Sequence, residues 1–250
     1  MPHYDVTPPE GRPATQIKPL GELYDKYLGY KTDGYFVEVG AFDGVNWSNT
    51  YPLARIGWRG LLVEPQPEYV KLCREAHAQH PGVKVLQCAI GDHEGTTELY
   101  TGGSISTIMP EMVDTYNATS WGKFAGLRHD KSITVKLHTL DNALTNAGVD
   151  AGFDVLVIDI EGAELAALAG FSIDQWKPRM VLIEAHELHP DKALSKNAVA
   201  INAYFAKAGY ERVHVDEINS VFVHDLPKPE SVTPESPKSE KVATKRRAKK

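Results

Sequence analysis

The segment Tyr35–Gly44 joins a hydrophobic run to a carboxylate and two glycines, a combination that can bind a small ligand. Glycine at the end of a strand lets the backbone approach a ligand closely, and a helix that we expect to begin near Asn46 adds unpaired N–H groups. The spacing Gly40-Ala-Phe-Asp-Gly44 differs from the G-x-G-x-x-G of dinucleotide sites. Glu38 would repel a phosphate and attract an ammonium group. These residues predict a ligand with a cationic amino-acid end, and a tight turn without a ligand is the alternative.

Glu64 ends the next hydrophobic run, about 20 residues beyond the glycines. A carboxylate at this distance binds the ribose hydroxyls in nucleoside-binding sheets. A third run ends at Cys88-Ala-Ile-Gly-Asp92, where small and apolar side chains suit an adenine ring. Taken alone, each feature is also typical of a solvated acid or of an ordinary turn. Together with the glycine turn, they favour a nucleoside ligand with Glu64 at its ribose.

Three carboxylates, Asp159, Glu161 and Glu164, follow a wholly apolar run. They suit three roles: oxygen ligands of a metal ion, acid or base groups at a reaction centre, and acids that stabilise the start of a helix. We assign Glu164 to the helix start and regard Asp159, followed by Glu161, as the better functional candidates. Neither Cys-x-x-Cys nor His-Glu-x-x-His occurs in the sequence, so we expect no zinc site and assign no residue to a metal.

The fifth hydrophobic run is followed by further polar groups, Glu184 and His186. Because the carboxyl ends of parallel strands meet at one edge of a sheet, we expect these side chains near Asp159 and Glu161. Histidine ordinarily has a pKa suited to accepting a hydroxyl proton near neutrality, and a merely hydrogen-bonded surface histidine is the alternative. The candidate catalytic residues are therefore Asp159, Glu161, Glu184 and His186.

The elements that must position these residues follow from the hydrophobic pattern. Short apolar runs alternate with segments of helical period, which is typical of a parallel sheet covered by helices on both faces. The predicted strands are Tyr35–Val39, Gly60–Glu64, Val83–Ala89, Phe153–Ile158 and Arg179–Glu184, followed by an antiparallel hairpin of Tyr210–Val215 and Ser220–His224. The predicted helices are Gln66–His80, Leu140–Ala147, Glu161–Ala169 and Ser195–Ala208, and two further strand-like runs are Thr96–Thr101 and Ser132–His138.

The composition predicts one folded domain between two less regular ends. Of the 250 residues, 42% are hydrophobic and 24% are charged, as in ordinary globular proteins. Residues 1–20 are rich in proline and predict a loosely ordered arm. Residues 21–225 form the predicted domain, with an insertion at about 95–139 that we expect to face the substrate. Residues 226–250 are rich in Pro, Ser, Glu and Lys and predict a disordered basic tail.

The net charge of −6 is distributed unevenly along the chain. Residues 226–250 contain eight Lys and Arg against three Glu, which leaves −11 for the remainder. An acidic body is a poor surface for nucleic acid, so we expect such a partner only through the tail. No run approaches the ~18 apolar residues of a membrane span, so no membrane partner is expected. The two cysteines and the lack of a recognisable leader predict a reduced, cytoplasmic setting.

Taken together, these residues resemble the FkbM-type methyltransferases, which are class I enzymes that use S-adenosylmethionine. The resemblance spans roughly residues 35–185 and is carried by the joint order of short pieces, each of which is unspecific alone. The family pattern often has Asn and a second Gly where this chain has Phe42 and Asp43. The matching pieces are Phe36–Gly44, Ser48–Thr50, Gly57–Gly60, Val63–Pro65, Ala89–Asp92 with Gly95, Thr139–Asp141, Asp159–Glu164 and Gly170.

The resemblance implies a Rossmann-like α/β fold with a mostly parallel seven-stranded sheet that ends in an antiparallel hairpin. It also implies methyl transfer from S-adenosylmethionine to a hydroxyl oxygen of a sugar, a glycan or another natural product. The segment Gly102–Thr107 resembles the family's Gly/Ser-rich loop near the active site. By position, Glu38, Gly40, Ala41, Asp43 and Gly44 would surround the methionine part, Glu64 the ribose, and Ala89 and Ile90 the adenine, with Ser48, Asn49 and Asp159 as further cofactor residues.

Three other functions are alternatives to this one. A nucleic-acid methyltransferase steered by the tail is disfavoured by the acidic body and by the absence of an Asn- or Asp-Pro-Pro-Tyr-like motif after the fourth strand. A nicotinamide oxidoreductase is disfavoured by the glycine spacing and by Glu38. A non-catalytic nucleoside-binding scaffold is the third. The expected partner is a hydroxylated small molecule or a glycan.

Overall fold

The computed structural model describes residues 2–118, 129–185 and 195–225. Its strands are β1 (Tyr35–Val39), β2 (Arg59–Val63), β3 (Val83–Leu86), β4 (Ala89–Gly91), β5 (Gly95–Thr101), β6 (Lys131–Thr139), β7 (Val155–Ile158), β8 (Met180–Glu184), β9 (Glu211–Val215) and β10 (Asn219–Val223). Its helices are α1 (Leu20–Leu28), α2 (Tyr51–Arg55), α3 (Pro67–Ala76), α4 (Pro110–Ala118), α5 (Leu140–Ala147), α6 (Glu164–Ala169), α7 (Ile173–Trp176) and α8 (Lys196–Lys207), with a 3₁₀ turn at Gly103–Ile105.

Seven of the strands form one sheet in the order β3-β2-β1-β7-β8-β10-β9. The first five are parallel, and β10 runs antiparallel to both β8 and β9. The predicted mostly parallel sheet with a closing antiparallel hairpin is therefore confirmed. The strand order reverses between β1 and β7, and ligands of open α/β sheets bind at the carboxyl ends of the strands beside such a reversal.

The sheet is buried on both faces because successive side chains of a strand point to opposite sides. Val37 and Val39 of β1 pack on one face, in a core that also holds residues of α5, α6 and α8. Phe36 of the same strand packs on the other face, in a core with residues of α1 and α2. Burial on both sides explains why β7 and β8 are apolar almost throughout their length.

A second, three-stranded sheet in the order β4-β6-β5 lies beside the main one. Its antiparallel pair, β5 and β6, comes from the predicted insertion at about 95–139. The predicted third strand Val83–Ala89 is wrong as a single element: Val83–Leu86 pairs with β2, whereas Ala89–Gly91 pairs with β6. The apolar run continues across the break because both pieces are partly or fully buried, so the pattern alone does not reveal the change of sheet.

The N-terminal arm is packed along the domain and differs in this from the loose arm that its prolines predict. Tyr4 and Ile17 are buried, with 4% and 0% of their surface exposed. The Tyr4 hydroxyl donates to the Gly29 carbonyl oxygen at 2.9 Å, and the Tyr4 N–H donates to Asp25 Oδ1 at 3.0 Å. The N-terminal arm therefore packs in one defined position up to α1, although its described residues contain no helix or strand.

Two predicted helix starts are wrong, and carboxylates or backbone geometry explain both. No helix begins near Asn46, and α2 begins only at Tyr51. Asp43 Oδ1 accepts the N–H groups of Val45 at 3.0 Å and Asn46 at 2.8 Å, and these bonds favour a turn. The helix expected from Glu161 begins at Glu164 because Glu161 has a φ of 56°, outside the helical region.

Among the described residues, no helix is both long and apolar enough to span a bilayer. The tail at 226–250 and its predicted disorder lie outside the described residues.

Candidate active site

The candidate site lies at the carboxyl ends of β1, β2, β7 and β8, where three cavities adjoin one another. The first is a narrow slot of about 50 Å³ bordered by Glu64, Ala89 and Ile90. The second, of about 280 Å³, is bordered by Glu38 and Asn49. The third, of about 740 Å³, opens toward the hairpin. The cavities share lining residues, so they form one continuous cleft.

Gly40 is required by the packing of the chain against itself. Its φ is +87°, and a Cβ atom at this position would lie 1.7 Å from the backbone oxygen of Asp159. No larger residue fits without separating the end of β1 from the end of β7. The tight-turn explanation thus accounts for Gly40, and the same contact places Asp159 beside the glycine turn.

Glu38 is buried in the second cavity's wall and organises the segment that follows the turn. Its carboxylate accepts hydrogen bonds from Ser48 Oγ at 2.7 Å, Thr50 Oγ1 at 2.7 Å and the Asn49 N–H at 3.0 Å. Burial raises the Glu38 pKa to about 7, although these hydrogen bonds act in the opposite direction. The sequence places Glu38 at a ligand's ammonium group; in the structure its contacts are mainly with Ser48–Thr50.

Glu64 lies at the end of β2 and borders the first cavity. Its two carboxylate oxygens accept the N–H groups of Phe42 at 3.0 Å and Gln66 at 2.8 Å. Each oxygen can accept a further hydrogen bond, because a carboxylate oxygen has two lone pairs. Burial raises the pKa of Glu64 to about 7. The backbone contacts hold the carboxylate in one orientation, next to the apolar side chains of Ala89 and Ile90.

Asn49 and Asp159 border the second cavity together with Ala41 and Ser48. Asn49 is 2% exposed, and its Oδ1 atom has no hydrogen-bond partner in the protein. A buried acceptor of this kind is costly unless a ligand donates to it. The predicted residues Asp43 and Gly44 lie in the same turn, where Asp43 caps Val45 and Asn46 and Gly44 packs against the ring of His77.

Three of the predicted catalytic residues meet where the cavities join. The nearest carboxylate oxygens of Asp159, Glu161 and Glu184 all lie within 4.8 Å of one another. Burial, and next the charge of Asp159, raises the pKa of Glu161 to about 8, and burial followed by Asp159 raises the pKa of Glu184 well above its usual value. Carboxylates this close share a proton or a cation rather than ionise together.

Glu161 is the residue that lines all three cavities. Its backbone has a φ of 56°, which is unfavourable for a residue with a side chain by about 1–3 kcal/mol. Thr107 Oγ1 donates to the Glu161 carbonyl oxygen at 2.8 Å, and the Tyr116 hydroxyl donates to Glu161 Oε2. These contacts, both from the inserted segment, hold the carboxylate at the junction of the cleft.

Glu164, by contrast, lies at the helix start to which the sequence assigns it. It is the first residue of α6, and its carboxylate Oε1 accepts the N–H groups of Ile160 at 3.1 Å and Gly162 at 3.2 Å in the loop that precedes the helix.

The family of the chain is evident from its sequence. Residues 38–212 match the family described as "Methyltransferase FkbM domain", which is more than half of the chain. The protein belongs to the FkbM methyltransferase family. It is a methyltransferase that uses S-adenosylmethionine, as the resemblance implies. A comparison with curated proteins finds no match to its sequence.

Solved structures of other methyltransferases are similar to this chain. A precorrin-6y C5,15-methyltransferase from Geobacter metallireducens is 12% identical, with 88% of this chain and 98% of that chain covered and a TM-score of 0.46. The METTL16 MTase domain is 9% identical, with 87% and 72% covered and a TM-score of 0.48. An O-methyltransferase from Bacillus cereus in complex with SAH is 14% identical, with 89% and 84% covered and a TM-score of 0.45.

Of the described histidines, His214 borders the third cavity, whereas His129 and His138 make contacts elsewhere in the fold. His186 and His189 lie outside the described residues, so the role of His186 stays a prediction. A ring nitrogen of His129 contacts the Ile105 carbonyl oxygen at 2.6 Å, and His138 pairs with Glu94 at 2.5 Å on the second sheet. Both of these contacts stabilise the fold.

Two side chains at the cleft have no motif that marks them in the sequence. Gln16 Nε2 donates to Asp159 Oδ2 at 2.5 Å, although the two residues are 143 positions apart. Tyr116 reaches Glu161 from α4 and stacks on His129 with a centroid distance of 5.5 Å. From the sequence, Tyr116, Trp121 and Phe124 could either stack on a sugar ring or pack the insertion, and packing is slightly favoured; Trp121 and Phe124 lie outside the described residues. Polar side chains in irregular or inserted segments carry no periodic signal, so only the fold identifies them.

Proposed function

We propose that this methyltransferase transfers a methyl group to a hydroxyl oxygen of a sugar, a glycan or another natural product, with Glu161 as the general base. The observation that carries the proposal is that Glu161 borders both cofactor cavities and the large third cavity. A base at this junction can reach a hydroxyl group that lies next to the reactive methyl group.

The cofactor residues follow the order of the cavities. We assign Glu64 to the ribose hydroxyls, Ala89 and Ile90 to the adenine, and Asn49 and Asp159 to the amino-acid end. The orphaned Asn49 Oδ1 supports this assignment, because an ammonium group would donate to it. Gly40, Ala41, Asp43, Gly44 and Ser48 shape the turn around that end, and Glu38 holds Ser48–Thr50 in place.

The nucleoside slot must widen when the cofactor binds. Its volume of about 50 Å³ is well below the roughly 300 Å³ of a typical ligand pocket. Gly103, Ser104 and Ser106 border the slot from the Gly/Ser-rich segment. We infer that this segment moves outward to admit the nucleoside, while Glu64 stays fixed by its backbone contacts.

S-adenosylmethionine, when bound, supplies an electrophilic methyl group on a positively charged sulfur. The protein's own contribution is positioning and proton removal, and positioning alone can provide ~7 kcal/mol or more of such a barrier. Glu161 accepts the hydroxyl proton at its carboxylate, and Tyr116 holds that carboxylate by a hydrogen bond. A general base is most effective when its pKa lies near the working pH, and the pKa of Glu161 is raised to about 8.

A screen of hydroxylated acceptors, sugars first, tests the proposal by the formation of S-adenosylhomocysteine. With an accepted compound, Glu161→Gln should lower kcat by about 10²–10⁴-fold and leave S-adenosylhomocysteine binding within about twofold of wild type. The exposed Glu75→Gln on α3 is the matched control and should behave as wild type. Unchanged turnover in Glu161→Gln would remove the base from the mechanism and leave positioning alone.

We propose residues 21–225 as the methyltransferase domain and the tail at 226–250 as dispensable for catalysis. A chain truncated after residue 225 should retain small-molecule turnover. Loss of turnover, together with loss of nucleic-acid binding, would favour the nucleic-acid methyltransferase instead.

A further inference from the structure

Gln16 links the N-terminal arm to the cleft from outside the segment 38–212 that matches the family. Its Nε2 donates to Asp159 Oδ2 at 2.5 Å, and its Oε1 accepts from Asn49 Nδ2 at 3.4 Å. Gln16 also borders both the second and the third cavity. One amide therefore contacts both residues that we assign to the amino-acid end of the cofactor and faces the acceptor cavity as well.

The arm holds Gln16 in place from both sides. Ile17 is fully buried, and its carbonyl oxygen accepts the Leu20 N–H at 3.3 Å, which ties the arm to the start of α1. On the other side, an Arg12 guanidinium nitrogen lies 3.4 Å from Asp43 Oδ2 and 3.2 Å from Asn46 Oδ1 of the glycine turn. The amide is thus fixed before any ligand binds, which reduces the entropy that is lost on binding.

A neutral donor suits the charges around Asp159. The carboxylates of Glu38, Glu161, Glu164 and Glu184 all interact with Asp159. A lysine or arginine at position 16 would neutralise this region and compete with the cationic end of the cofactor for Asp159. The Gln16 amide satisfies one lone pair of Asp159 and adds no charge, so the negative potential is kept for the ligand.

We propose that Gln16 is a positioning residue that orients Asp159 and Asn49 toward the amino-acid end of S-adenosylmethionine. This inference rests on the cofactor assignment within the proposed function. It places a part of the site in a segment that precedes the family domain.

Calorimetry with S-adenosylhomocysteine tests the inference without any acceptor. Gln16→Ala should bind about tenfold more weakly than wild type, the loss expected for one hydrogen bond to a charged group. In Gln16→Glu the side chain keeps the shape of glutamine but can titrate, so its effect on S-adenosylhomocysteine binding should depend on pH. At pH 5.5 its protonated carboxyl can donate to Asp159 and should restore binding to within about threefold of wild type. At pH 8.5 the two carboxylates repel each other, and binding should be at least tenfold weaker than that of wild type.

The matched controls are Gln175→Ala and Gln175→Glu at an exposed position of α7, which should follow wild type at both pH values. Circular dichroism melting of the unliganded variants checks that they are folded. Wild-type affinity of both Gln16 variants at both pH values would overturn the inference, as would tighter binding of Gln16→Glu at pH 8.5, which indicates simple charge attraction. Wild-type protein that bound no S-adenosylhomocysteine would overturn the cofactor site and this inference together.

Discussion

The nucleoside side and the acceptor side of the cleft hold their carboxylates in opposite ways. On the nucleoside side, Glu64 accepts two backbone N–H groups from residues at most 22 positions away. Where the cofactor cavities meet the acceptor side, the carboxylates of Asp159 and Glu161 are held by side chains 143 and 45 positions away. The first arrangement depends on the local course of the chain, and the second depends on the arm and the insertion reaching the same point.

This difference separates a carboxylate held by backbone groups from carboxylates held by distant side chains within a single cleft. Backbone donors do not change with side-chain substitution, so a nucleoside site built on them tolerates sequence change. Side-chain donors from the arm and from α4 can be replaced without altering the main sheet. The acceptor side is therefore the part in which we expect specificity to reside.

The largest effect on cofactor binding should come from Glu64→Gln. The amide nitrogen at one of the two oxygen positions cannot accept a backbone N–H, and the ribose loses a charged acceptor. S-adenosylhomocysteine should bind about a hundredfold more weakly, which corresponds to about 2.8 kcal/mol. Calorimetry measures the loss, with Glu75→Gln as the control. Affinity within threefold of wild type would place the ribose elsewhere.

Tyr116→Phe should affect turnover and leave cofactor binding unchanged. The Tyr116 hydrogen bond lowers the pKa of Glu161, so its removal raises that pKa above about 8 and reduces the ionised fraction at pH 7.5. We expect kcat to fall about tenfold at pH 7.5 and to recover by pH 9.5, with the rising limb of the pH profile moved to higher pH. The exposed Tyr30→Phe should keep the wild-type profile. A kcat loss of equal size at all pH values would contradict the role of Tyr116 in setting the ionisation of Glu161.

The buried carboxylates on both sides should make the free protein less stable as the pH rises. The pKa values of Glu38 and Glu64 are raised to about 7 and that of Glu161 to about 8, so the folded state binds more protons than the unfolded state between about pH 4.5 and 8. The free energy of unfolding therefore falls across this range. We expect the melting temperature to decrease by several degrees from pH 5.5 to 8.5, since each kcal/mol corresponds to about 2–4 °C.

Glu184→Gln sharpens this measurement because its amide does not titrate. The variant should lose less stability than wild type between pH 5.5 and 8.5, whereas Glu75→Gln should keep the wild-type slope. An identical slope in Glu184→Gln would show that the folded and unfolded states bind the Glu184 proton equally in this range, which contradicts the raised pKa of Glu184.

The smallest effect should come from a chelator. Gln16 and Tyr116 each donate to one oxygen of Asp159 and Glu161, and a shared proton can offset the remaining repulsion in the carboxylate cluster, so we expect no bound metal to be required. EDTA followed by gel filtration should leave turnover within about twofold of the untreated enzyme. Loss of turnover that Mg²⁺ restores would assign these three carboxylates to a cation instead.

Much of the main sheet was predictable because its signals are local. Tyr35–Val39 and Leu140–Ala147 have the predicted bounds, since a buried strand and an amphipathic helix each impose their own period. The break of the predicted third strand was not predictable, because both pieces are apolar while pairing in different sheets. The helix expected near Asn46 failed because the carboxylate of Asp43 competes for its N–H groups.

The sequence by itself determined the family, the cofactor and the strand ends at which carboxylates collect, because each of these depends on short pieces of fixed order and spacing. Only the tertiary structure decided that Glu38 is held by Ser48–Thr50, that Glu161 lies at the junction of three cavities, and that Gln16 and Tyr116 reach the carboxylates. The physical reason is that contacts between distant segments depend on how the arm and the insertion pack against the sheet. Hydrophobic periodicity and motif spacing describe the sheet and leave those segments undefined.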